Sequence, residues 1–256
     1  MRRMCEYFWL YETDLPPGIG VQTFGIVHLA WVTISVLLIL MTILISRRQT
    51  EVIRRRIQVT TVYLMVTAHL FCWLWTAIIG HYAITELLPL HLCTLSVFVE
   101  SAAVLSGRTL LKEFSYCCGL PGAVFALITP VMGGYPLFNY YYLQFAMAHT
   151  ILILLPLIWI FADGFRPDIR RIPPCFGLLL FFAGIAAFVN RLIGSNYMFL
   201  SFAPTDTPLE IFEAWFGNPG YLIPLTLLVL IVWLILYTPV VLSTRLQRRK
   251  RFEIGL

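Results

Sequence analysis

The run Leu88-Pro89-Leu90-His91-Leu92-Cys93-Thr94 places a histidine and a cysteine two residues apart. A cysteine works as a nucleophile only with a base at hand. On a regular helix His91 and Cys93 point about 200° apart and do not meet. A base for Cys93 therefore has to come from another segment, such as His149. His28, His91, His149, Asn190 and Arg191 form a second constellation, which Ser195, Asn196 and Tyr197 continue. Imidazoles, amides and a guanidinium in one place could bind a substrate and steady an oxyanion or a phosphate. His69 and Glu100 form a third set, an ionisable pair in otherwise apolar sequence.

The elements that must hold these groups follow from composition. Of the 256 residues 59% are apolar, 15% aromatic and only 12% charged, with a mean hydropathy of +0.83. Soluble domains carry about 25% charged residues, so a soluble fold is excluded, and the apolar mass excludes disorder. The chain reads as an all-α polytopic membrane protein with seven transmembrane helices, near 23–46, 57–80, 88–106, 114–132, 143–162, 175–194 and 220–242. Each approaches the roughly 20 apolar residues that a span needs. The fourth is broken by Gly119-Leu120-Pro121-Gly122.

The net charge of +5 and pI near 9.0 come from basic residues gathered on one side of these spans. Arg47 to Arg56, Arg108 with Lys112, Arg166 with Arg170 and Arg171, and the tail from Arg245 to Arg251 hold 15 of the 18. Arg2 and Arg3 lie opposite with Glu6, Glu12, Asp14, Glu86, Asp206, Glu210 and Glu213, and Arg191 lies inside a span. The positive-inside rule then puts the N-terminus outside and the C-terminus in the cytoplasm of an integral plasma membrane protein. The basic clusters have anionic lipid headgroups as their partners, and no nucleic acid is expected. Residues 1–22 lack the apolar run of a signal peptide, and Phe8, Trp9, Leu10 and Tyr11 suit an interfacial anchor.

Depth orders the polar groups. At 1.5 Å per residue, His28, His91, Asn190 and Arg191 fall within about 10 Å of the outer boundary, with His149 slightly deeper. They suggest one pocket open to the outside, although Arg191 can also snorkel to the headgroups. Asn190 and Arg191 are adjacent and cannot point the same way. His69 and Glu100 fall about 16–18 Å below the outer ends of their spans. Their helices are joined by a short connection, so a pair is available as a proton relay or as a polar clasp.

An internal repeat is also suggested. Phe24-Gly-Ile-Val-His28 and Phe145-Ala-Met-Ala-His149 follow Gln22 and Gln144; Ile79-Gly80-His81-Tyr82 matches Ile193 to Tyr197; Pro89-Leu90-His91 matches Pro219-Gly220-Tyr221. Two parallel three-helix units, 23–106 and 143–242, would then be joined by helix 114–132 in a single domain, 1–256. The six cysteines show no CxxC, and the histidines no metal spacing. No nucleotide or zinc motif is present, so neither metal nor cofactor is expected.

The run LPLHLC at 88–93, Ala148-His149-Thr150 and GSNYMFL at 194–200 followed by Pro204 resemble the YwaF-like family of bacterial integral membrane proteins over nearly the whole chain. That family is distantly similar to a eukaryotic transmembrane family that includes an acyltransferase acting on ether phospholipids through a cysteine acyl-enzyme. Where those proteins carry Pro-Cys-His, this chain has Pro89-Leu90-His91, so the histidine is retained and Leu90 holds the nucleophile position. Cys93 lies one helical step away. The resemblance implies chemistry on membrane lipids: acyl transfer or hydrolysis, with His91 or His149 as base and Cys93 as nucleophile. Asn190, Arg191 or Asn196 would steady the charge. Two other functions are consistent with the residues: a small-solute transporter rocking between the repeats, and a non-catalytic scaffold or receptor. The sequence sets no oligomeric state.

Overall fold

The computed structural model describes residues 6–130, 132, 134–205 and 207–253, and those residues contain no strand. Cys5, Arg2, Arg3 and Asp206 lie outside the described residues, as do the side chains of the basic tail. The chain forms two compact units, Met1–Gly164 and Phe165–Leu256.

Unit 1 holds five helices. α1 is Ile26–Arg47, α2 Glu51–Ile78, α3 Leu92–Ser106, α4 Thr109–Ile128 and α5 Tyr140–Phe161. Local chemistry sets their ends. Thr50 caps α2 by accepting from the Ile53 N–H, and Asn139 caps α5 by accepting from the Tyr141 N–H. Gly107 closes α3 at φ +70°, a left-handed position that only glycine adopts without penalty. α5 is the axis of the unit and packs against α1, α2, α3 and α4. It is apolar all round, with Ile151, Leu152, Leu155, Ile158 and Trp159 buried, as a helix enclosed by other helices must be. α1 and α2 leave Leu37, Leu40, Leu64 and Leu74 exposed, the apolar surface that lipid requires.

Unit 2 holds α6, Ile172–Ile193, the short α7, Pro208–Phe216, and α8, Leu222–Glu253. Phe176 of α6 meets Trp233 of α8 edge to face at 5.8 Å.

Among the described residues six helices are long and apolar enough to cross a membrane, where seven spans were expected. The third expected span, 88–106, is helical only from Leu92. Pro89 disfavours helix at Leu88, and the Leu90 N–H turns back to the Leu88 carbonyl at 2.7 Å. Fifteen residues reach about 22 Å, short of the roughly 30 Å hydrocarbon. The fourth span runs 109–128 rather than 114–132. Its expected break is a π turn, Ser115–Gly119, in which the Leu120 N–H reaches the Ser115 carbonyl. Pro121 cannot donate an i→i−4 bond, and the turn widens around it. The two units divide at Gly164, in the connection that follows α5.

Candidate functional site

One polar node of unit 1 lies between α2 and α5. Gln144 Nε2 donates to His69 Nδ1 at 3.2 Å, which puts the ring proton on Nε2. That Nε2 is buried and has no hydrogen-bond partner. His69 is wedged against Trp73, with ring centroids 4.8 Å apart, and against Phe98 of α3 at 6.3 Å. One turn along α5, His149 Nδ1 donates to the Phe145 carbonyl at 2.8 Å, and Phe145 lies 4.1 Å from its ring. This bond fixes the opposite tautomer and leaves the Nε2 lone pair as the basic atom. His69 and His149 are within electrostatic range of each other. One thus offers an N–H where the other offers a lone pair.

A second polar node lies between α3 and α4. Glu100 is fully buried, and neither carboxylate oxygen has a hydrogen-bond partner. Gly119, in the π turn of α4, faces it: a Cβ placed there would stand 3.2 Å from Glu100 Oε1 and 3.3 Å from Ser96 Oγ. The expected His69–Glu100 pair is not formed, because the imidazole is turned to Gln144 and the carboxylate to Gly119. At the start of α3, His91 is the N-cap in extended conformation and Cys93 lies in the first turn. His91 thus stands outside the helix, and the helical angle expected between the two residues does not apply. Of the described free cysteines, Cys93 is half-buried where Cys72, Cys117, Cys118 and Cys175 are buried.

The other expected pocket residues are used differently. His28 is buried, accepts the Phe24 N–H on Nδ1 at 2.9 Å, and donates from Nε2 to the Leu127 carbonyl at 3.0 Å. It ties α1 to α4, and both ring nitrogens are spent. In unit 2, Asn190 Nδ2 donates to the Tyr197 carbonyl, while its Oδ1 accepts from Ser195 Oγ and the Tyr197 N–H. Asn196 likewise accepts from the Ser201 and Phe202 N–H groups and donates to the Phe202 carbonyl. Both amides therefore shape the 194–204 loop, in which Met198 and Phe199 take left-handed φ of 56° and 54°. Tyr197 is fully buried and Arg191 is exposed, so the neighbours Asn190 and Arg191 do part.

Two networks carried no sequence signal. At the start of α2, Gln58 accepts from Trp159 Nε1 at 3.1 Å and donates to Asp163 at 2.7 Å, while Arg54 pairs with Asp163 at 2.9 Å. At the opposite end of α2, the aromatic segment expected as an anchor docks on the chain itself. Asn139 donates to the Tyr7 and Leu10 carbonyls, Trp9 stacks on Tyr140 at 5.4 Å, and Tyr11 stacks on His81 at 4.7 Å. His81 faces Asp14 at 3.1 Å. Burial and the neighbouring Glu86 raise the Tyr11 phenol above its ordinary value, as burial raises Tyr135. Among the described residues no three His, Cys, Asp or Glu side chains could hold a metal ion together.

No curated protein and no solved structure matches the chain. One family model does, over residues 21–237, which takes in every helix of unit 1, the buried polar nodes and α6 to the first half of α8. This polytopic chain belongs to the TMEM164 family.

Proposed function

We propose that the protein acts on the acyl chains of membrane lipids, with Cys93 as nucleophile. The observation that carries this reading is the place of Cys93: half-buried in the first turn of α3, where the other described cysteines are buried. First-turn amides of a helix have no i→i−4 acceptor of their own and suit an oxyanion. α3 packs against α5, which carries His149 with its lone pair on Nε2. In the reaction, His149 Nε2 takes the Cys93 thiol proton and the sulfur attacks an ester carbonyl. The ester C–O bond breaks, and the departing lipid hydroxyl takes the proton back from His149. A second lipid hydroxyl, or water, then attacks the thioester and regenerates the thiol. The resemblance read from LPLHLC and GSNYMFL implies the same class of chemistry.

The test uses the full chain in vesicles containing a phospholipid with an isotopically labelled acyl chain and a lysophospholipid acceptor. Label on the protein that hydroxylamine releases, mapped to Cys93 and absent from Cys93→Ser, is the expected result. His149→Ala should lower the transfer by about 10²–10⁴-fold, the range of general base catalysis. Equal transfer by native protein and Cys93→Ser would end the nucleophile assignment. Lipids unchanged by any form of the protein would favour the transporter reading.

A further inference from the structure

Glu100 takes no part in that reaction, yet its placement is the most demanding in unit 1. It is fully buried, both oxygens lack hydrogen-bond partners, and the described ion pairs do not include it. A carboxyl so buried is stable only with a compensating partner. Ser96 Oγ donates its proton to the Leu92 carbonyl at 2.7 Å, so its lone pairs remain for a ligand. Glu100 Oε1 and this Ser96 Oγ edge the space beside Gly119 that any side chain would fill. That backbone belongs to the π turn of α4, a distortion frequent at functional sites.

We propose that Glu100, Ser96 and the space beside Gly119 form a binding site for a monovalent cation, H⁺ or Na⁺, in the core of unit 1. Charge selects the valence. One carboxylate neutralises one positive charge, whereas a divalent ion would leave a net charge in a low-dielectric interior, and among the described residues no group of three His, Cys, Asp or Glu side chains includes Glu100. Hard oxygen ligands select H⁺ or an alkali ion over a soft metal. Glycine at 119 keeps the site open, and the site is independent of what happens at Cys93.

The experiment uses the full chain in lipid vesicles and a hydrophobic carbodiimide, which adds to a buried carboxyl and is mapped by mass spectrometry. Glu100 should be the labelled position, and Glu100→Gln should lose the label. If the ligand is Na⁺, labelling slows about tenfold in sodium chloride at ten times its Kd, relative to choline chloride of equal strength. If it is H⁺, labelling is equal in the two salts and falls as pH rises. Gly119→Ala keeps the carboxyl but fills the space, so the label and its fall with rising pH stay while any dependence on sodium disappears. Labelling that ignores both salt and pH, absence of label at Glu100 in the native protein, or full sodium dependence in Gly119→Ala would each overturn the assignment.

Discussion

Gln144 on α5 and His69 on α2 are joined by a 3.2 Å hydrogen bond whose donor is the amide, and this single bond decides which imidazole nitrogen carries the proton. With Nδ1 occupied as acceptor, Nε2–H is left pointing into a buried space without an acceptor. Gln144→Leu removes the donor and strands Nδ1. The loss should be about 1–3 kcal/mol, the cost of an unmet buried polar atom. Nitrogen NMR of labelled histidine should find the Nε2–H form of His69 in the native protein and not in the variant. An unchanged tautomer would show that something other than Gln144 sets it.

His28 makes a contrasting case. Its two nitrogens are spent on the Phe24 N–H and the Leu127 carbonyl, one local and one across to α4. A histidine used in this way is a bolt between helices. His28→Ala should therefore lower thermal stability by about 1–3 kcal/mol, while the protein that remains folded matches the native one in the labelled-acyl vesicle assay. A normal melting temperature with lost transfer would instead place His28 in the substrate site.

The membrane class, the helix positions and the burial of His28, Glu100, His149 and Asn190 are legible in the sequence, because apolar run length and rare polar groups report burial directly. What polar groups do once buried is not legible. Depth placed His69 beside Glu100, yet side-chain direction gave each a different neighbour, Gln144 for one and the Gly119 backbone for the other. Similarly, span depth in the sequence groups Asn190, Asn196 and His28 with His91 and His149, but the hydrogen bonds of those three go to backbone groups within their own units. A missing proline N–H reads equally well as a helix break or as a π turn. Only packing against α3 and α5 decides that residues 115–119 stay helical.

In unit 2, Asn190 holds three bonds to the 194–197 loop with one side chain. Met198 and Phe199 sit in left-handed backbone just beyond it, a conformation that costs about 1–2 kcal/mol per residue and persists only when its surroundings enforce it. Asn190→Ala removes the enforcement. Hydrogen exchange should quicken by about tenfold or more across residues 195–202, the equivalent of 1.4 kcal/mol, with unit 1 unaffected. Asn190→Asp keeps the acceptor but loses the donor to the Tyr197 carbonyl, so it should fall between the two. Exchange in Asn190→Ala equal to native would mean the loop is held from elsewhere, through Tyr221 or Asn218.

Tyr11 gives the pH prediction. Burial first, and the carboxylates of Glu86 and Glu12 second, disfavour its phenolate and raise it above the ordinary value of 10.0. An acid whose folded-state pKa is raised contributes stability that is whole below the unfolded value and lost as pH climbs through the folded one. The clasp between the N-terminal segment and the loop that carries Glu86 should therefore hold at pH 8 to 10 and loosen only above it. The phenolate absorbance missing from Tyr11→Phe, obtained by difference, should appear above pH 10 in the native protein. Glu86→Gln removes one repulsion and a carboxylate acceptor but leaves the burial. Its Tyr11 should titrate lower than native yet still above 10. A Tyr11 that titrates at its ordinary value in the native protein would show that the aromatic segment does not dock in solution as it does against His81, Tyr135 and Tyr141.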